Sequence, residues 1–127
     1  MSIRTPLARV EGLGAAHRGT EHFALQRGTA VALVPLAIWF VFSALSLVGA
    51  ERTDAVAYLA EPVNAVLMAL FIIAAMMHMA VGVQVVIEDY IHNEAGKVAL
   101  LLLNKFFAWL VGAATIFALL KIAFMRT

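Results

Sequence analysis

Three apolar blocks divide the chain, each long enough to cross a bilayer and set apart from the next by a short polar stretch. A hydrocarbon core about 30 Å thick needs about 20 apolar residues of helix rising about 1.5 Å each. The first block, about 29–49, is apolar except for Thr29, Ser43 and Ser46, and its Pro35 is of a kind that membrane helices tolerate. The second opens on Pro62, a favourable first helical residue, and runs to about 87. The third covers about 98–125 and carries Trp109 and four Phe residues. The pattern predicts an all-α membrane protein with three transmembrane helices.

Residues 1–28 read as an N-terminal arm, and 29–127 as a three-helix membrane anchor. The arm is polar, with Arg4, Arg9, Arg18 and Arg27, and Gly12, Gly14 and Gly19 interrupt helix formation. Thr20 is a candidate N-cap for an interfacial helix running into the first span. In the linker 50–61, Asp54 is a candidate cap for a brief interfacial helix, with Tyr58 at headgroup level. With the N-terminus inside, Arg4, Arg9, Arg18, Arg27, Lys97 and Lys105 share the cytoplasmic side, and Arg52, Lys121 and Arg126 fall opposite. The excess of basic residues therefore predicts a cytoplasmic N-terminus and an external C-terminus, which is periplasmic where the membrane is a bacterial inner membrane.

Composition sharpens this picture. Of 127 residues, 64% are hydrophobic and 13% charged, and the mean hydropathy is +0.95. These values exclude a soluble domain. A formal charge of +1 gives no footprint for nucleic acid or an acidic substrate. The absence of cysteine excludes disulfides, thiolate metal sites and iron–sulfur ligation. The first apolar block follows a long polar leader and has no small-residue cleavage site after it, so it is expected to remain as a span. With no soluble domain, the chain is expected to be a subunit of something larger.

His78 is the residue that composition does not explain. It lies inside the second apolar block, among Met76, Met77, Met79 and Ala80. An ionisable group in hydrocarbon costs roughly 2.5 kcal/mol or more unless the protein satisfies it. At about 100° per residue, Gly82 lies about 40° and Asp89 about 20° round the helix from His78. Ala74 and Ala75 sit above that face. A flat group or another helix can approach such a surface closely. A neutral imidazole among Met and Ala suits haem iron, and equally a hydrogen bond to a neighbouring helix. One helix cannot place ligands on both sides of a haem, and no other histidine lies within a span. A second axial histidine must therefore come from another polypeptide.

Asp89 and Tyr90 lie roughly 16 Å or more along the axis from His78, near the cytoplasmic boundary. They suit interfacial anchoring, or a hydroxyl donating to a quinone carbonyl beside a carboxylate that orients a basic partner or passes protons. Arg27, at the mouth of the first span, suits either membrane-surface anchoring or pairing with a haem propionate. His17 and His92 are expected at the surface, and no methionine is assigned as a ligand.

The stretch His78-Met-Ala-Val-Gly82-Val-Gln84-Val-Val-Ile-Glu-Asp89-Tyr90 closely resembles the small hydrophobic membrane anchor subunit of succinate dehydrogenase, the smaller of the two anchors of respiratory complex II. The leader resembles it too, through Gly12-Leu-Gly14 and Gly19-Thr-Glu-His22-Phe23-Ala-Leu-Gln-Arg27-Gly-Thr29. The resemblance covers most of the chain; it is specific through the second span and loose in the third. It implies half of a heterodimeric haem-binding anchor bundle, with His78 as an axial ligand to haem b. The other ligand would belong to a larger cytochrome b anchor subunit. It implies Tyr90, next to Asp89, at the ubiquinone site and Arg27 near the haem propionates. It also implies an iron–sulfur subunit and a flavoprotein subunit as partners, besides membrane lipid. Glu21-His22 stands where one relative in the family has His-Asp, so no propionate contact is carried to His22. A quinol:fumarate reductase anchor and a non-redox structural membrane subunit are the alternatives.

Overall fold

The computed structural model describes residues 16–125, without the side chains of residues 16–20 and 22. The expectations for 1–15, for the side chains of His17, Arg18, Thr20 and His22, and for Arg126 lie outside the described residues. Four helices follow one another: α1 (Ala16–Ser46), α2 (Arg52–Ala60), α3 (Pro62–Tyr90) and α4 (Glu94–Phe124). Within them, Phe23–Ser46, Pro62–Tyr90 and Glu94–Phe124 are long and apolar enough to cross a membrane. The protein is an all-α, three-span helical bundle.

Local chemistry accounts for most of the helix ends. Helix α1 runs without a break through Gly19, Thr20 and Gly28, so Thr20 lies inside it and does not cap it. The cost of a glycine in a helix, about 1 kcal/mol, is small beside the length of this one. After Ser46 the chain turns, and Gly49 takes a φ of +78°, a left-handed backbone that glycine adopts without strain. Asp54 sits in the first turn of α2, where its charge complements the helix dipole; the cap position belongs to Glu51, whose side chain makes no cap bond. Extended backbone at Glu61 separates α2 from α3, and Pro62 opens α3 as its type favours. Helix α4 starts four residues before the apolar block, because the Asn93 side chain accepts from Ala95 N–H at 3.2 Å and caps it.

Helix α3 is the middle member of a row. Helices α1 and α4 each pack against α3, and among the described residues they do not pack against each other. The α1–α3 contact is antiparallel: Phe40 stacks on Phe71 at 4.7 Å between ring centroids, and further along Thr29 meets His78. On the other side, Asn104 of α4 donates to the Ala80 carbonyl of α3 at 2.8 Å. Gly112 of α4 lies where an added Cβ would stand 3.4 Å from Met76 Cγ, so the two helices approach closely there. Lipid tails are as apolar as leucine, so such close contacts and polar links, more than hydrophobic burial, hold the helices together.

Helix α2 closes one end by packing on α3 and α4. Tyr58, expected at headgroup level, is half-buried, with its hydroxyl 2.7 Å from Ser43 Oγ of α1. The buried Asn64 side chain donates to the Tyr58 carbonyl and to Glu61 Oε2, both at 3.0 Å. The linker is therefore stitched to the ends of α1 and α3.

Candidate functional site

His78 stands near the middle of α3, about 18 Å along the axis from Tyr90. Its Nδ1 lies 3.2 Å from the Thr29 hydroxyl of α1. That hydroxyl is also 2.8 Å from the Leu25 carbonyl and 3.2 Å from the Gln26 carbonyl, both in the preceding turn of its own helix. A threonine hydroxyl carries one proton, and the short contact to the i−4 carbonyl is the usual place for it in a helix. His78 Nδ1–H then donates to Thr29 Oγ1, and Nε2 keeps its lone pair. Nε2 makes no hydrogen bond among the described residues.

One turn along, Gln26 and Gly82 face each other. An added Cβ on Gly82 would stand 3.5 Å from Gln26 Nε2, an ordinary contact. The small-residue face expected beside His78 is therefore partly covered, at Gly82, by a side chain of this same protein. Gln26 Oε1 is buried there without a hydrogen-bond partner among the described residues. Gln26 and Thr29 are three residues apart, so they lie on one face of α1 and present a polar pair to α3.

Arg27 does not join them. Two residues from Thr29, it points about 200° away round α1. It is exposed, and its guanidinium lies 4.9 Å from the centroid of the Phe23 ring. The structure thus brings Thr29 and Gln26 to the His78 region from α1 and leaves Arg27 on another side.

Asp89 and Tyr90 end α3, and both are exposed. Tyr90 is 76% exposed and makes no hydrogen bond among the described residues. Glu88, beside them, accepts from Gln84 Nε2 at 2.9 Å. Three residues, 91–93, separate α3 from α4, so Tyr90 stands close to the capped start of α4. His92 is exposed, as expected.

Among the described residues, no three His, Cys, Asp or Glu side chains gather to hold a metal ion. A metal bound by this chain's side chains alone has no donor set there. A group that brings its own equatorial ligands and asks this helix for one nitrogen is compatible with His78. An apolar groove between α3 and α4, lined in part by Met76, Ala80, Trp109 and Gly112, has a volume of about 470 Å³ and includes none of the candidate site residues.

Comparison with known proteins gives this geometry a context. The family described as the succinate dehydrogenase/fumarate reductase transmembrane subunit matches residues 1–120. The chain belongs to that family. It is similar to the succinate dehydrogenase hydrophobic membrane anchor subunit of Paracoccus denitrificans, at 35% identity over 95% of this chain and 93% of that one. The corresponding subunit of Rickettsia bellii is 30% identical over 91% of this chain and 93% of its own length. A succinate dehydrogenase membrane anchor subunit of Reclinomonas americana is 25% identical over 71% of this chain and 78% of its own length. No solved structure gave a significant match. As a member of the succinate dehydrogenase/fumarate reductase anchor family, this multi-pass bacterial membrane protein is a hydrophobic anchor subunit of a respiratory complex, and is itself non-catalytic.

Thr29 and Asn104, which make the polar links on the two sides of α3, carried a weak signal in the sequence. Thr29 is a polar residue at the start of the first apolar block, and Asn104, beside Lys105, is one inside the third. Such residues in a span commonly mark a contact with another helix.

Proposed function

We propose that this chain is the small hydrophobic anchor of a succinate:ubiquinone oxidoreductase, sharing a haem b with a larger cytochrome b anchor subunit. His78 supplies one axial nitrogen, Nε2, and the partner anchor supplies the other. The observation that carries the assignment is the unequal state of the two ring nitrogens: Nδ1 is bonded to Thr29 and Nε2 has no partner among the described residues. A histidine serving only to join two helices would leave Nε2 unsatisfied in hydrocarbon, at a cost on the order of several kcal/mol. Haem b, when bound, supplies a one-electron store near the quinone and ties the two anchors together.

Tyr90 and Asp89 serve ubiquinone. Tyr90 ends α3 at the membrane boundary with its hydroxyl uncommitted, so it can donate to a quinone carbonyl and stabilise the negative charge that grows there on reduction. Asp89 is placed to orient a basic group from a partner or to pass protons toward the quinone. Arg27, near the level of His78 but on another side of α1, provides a cation for a haem propionate or the lipid headgroups. With the N-terminus cytoplasmic, the Tyr90 end of α3 faces the iron–sulfur subunit, which receives electrons from the flavoprotein subunit that oxidises succinate. The relatives named above are succinate dehydrogenase subunits, which favours this direction over quinol:fumarate reduction.

The test is a reduced-minus-oxidised spectrum of the purified complex. The wild-type complex is expected to show haem b and the His78→Ala complex to lose it, while succinate oxidation with a soluble dye persists. An unchanged haem b spectrum in His78→Ala would sink the ligand assignment.

A further inference from the structure

We propose that Thr29 is a positioning residue for the axial ligand, fixing the tautomer and the donor strength of His78; this rests on His78 ligating haem b. Neutral imidazole has two tautomers, and only the form protonated on Nδ1 offers Nε2 to a metal. Thr29 selects that form by a short relay. Its proton goes to the Leu25 carbonyl at 2.8 Å, so its oxygen faces Nδ1, 3.2 Å away, as an acceptor. Thr29 is 9% exposed, which leaves little room for water to replace its hydroxyl. Gln26 Oε1, an acceptor one turn away, makes no hydrogen bond among the described residues and so does not take this proton.

The relay has two consequences for the ring. A hydrogen bond given by Nδ1–H holds the imidazole plane against rotation and makes Nε2 a stronger electron donor to a metal. A stronger axial donor favours ferric over ferrous iron and so lowers the reduction potential. Loss of the hydroxyl should act in the opposite direction and raise it.

The experiment uses the complete complex carrying Thr29→Val, Thr29→Ser or His78→Ala, with redox titration of the haem optical bands and low-temperature electron paramagnetic resonance. Valine keeps the branched shape and removes the acceptor; serine keeps the acceptor. Thr29→Val is expected to shift the haem midpoint potential upward and to change the spread of the ferric g values. Thr29→Ser is expected to retain wild-type values. Thr29→Ala, which removes the hydroxyl without keeping a branched side chain, gives the same readout if valine disturbs the α1–α3 contact. Wild-type potential and g values in both Val and Ala variants, with haem lost from His78→Ala, overturn the role of Thr29 and leave the ligand assignment standing. Unchanged haem in His78→Ala overturns both.

Discussion

Replacing Tyr90 by Phe removes one hydroxyl from a position where the chain's own fold does not use it. Tyr90 is 76% exposed, it is the last residue of α3, and its hydroxyl makes no hydrogen bond among the described residues. The substitution should therefore leave folding and assembly intact, and what remains is the contact with quinone. A neutral hydrogen bond contributes about 0.5–1.5 kcal/mol net, which corresponds to a loss of roughly two- to thirteenfold. The carbonyl gains negative charge as it is reduced, so the loss should weigh more on kcat/KM than on quinone binding alone. The assay compares succinate:ubiquinone reductase activity with succinate oxidation by a soluble dye on the same purified complex. Quinone reductase activity should fall within that range while dye reduction and haem content stay constant. Unchanged kcat and KM for quinone in Tyr90→Phe would refute the reasoning and leave Tyr90 as an interfacial anchor.

Ser43→Ala and Tyr58→Phe should each lower the thermal stability of the detergent-purified complex. The double variant should lose less than the sum, with a coupling of about 1 kcal/mol, because each single change strands the other hydroxyl of a 2.7 Å pair. Independent, additive effects would show that the pair does not hold α2 to α1. Asn104→Ala removes the bond to the Ala80 carbonyl and should cost about 0.6–1.7 kcal/mol, measured by the same melts; no change would deny that bond a structural role. Gly82→Ala meets Gln26 at an ordinary contact distance and exchanges glycine for a better helix former. The complex should remain as stable or gain up to about 1 kcal/mol. A fall in its melting temperature would show that a group outside this chain needs the space at Gly82.

The three spans are legible in the sequence because hydropathy reports directly on bilayer thickness, and Pro62 marks its own helix start. Helix ends set by other forces were less so. Asn93 begins α4 through one side-chain bond, which a hydropathy boundary near residue 98 does not register. Helix α1 reaches back to Ala16 despite Gly19, because one glycine is a small penalty inside a long helix. The candidate site divides in the same way. The shared face of His78, Gly82 and Asp89 follows from helical periodicity alone. The Thr29–His78 bond joins residues 49 apart, so it depends on how two helices cross, and no local pattern specifies that. In the sequence Thr29 and Ser43 are only polar exceptions in the first apolar block; each is a point where α1 bonds to another helix. The opposed directions of Arg27 and Thr29 were implicit in their spacing, but which of them faces α3 is decided by packing.

A row of three helices with one shared member has a consequence for the thermodynamics of substitution. The α1 and α4 spans each meet α3 and do not pack on each other among the described residues, so disturbances in the two outer helices have no common neighbour except α3 and, at one end, α2. Changes at Phe40, which stacks on Phe71, and at Asn104, which bonds Ala80, act on parts of α3 separated by about 13 Å along its axis. Their stability effects should therefore sum to within about 0.5 kcal/mol. A closed three-helix cluster, in which each helix touches both others, would give no such expectation. Non-additivity between Phe40 and Asn104 would thus be informative: α2 packs at the end of α3 away from Asn104, so coupling would point to a helix from another subunit that bridges the outer spans, a contact that a double-mutant cycle detects without any structure of the assembled complex.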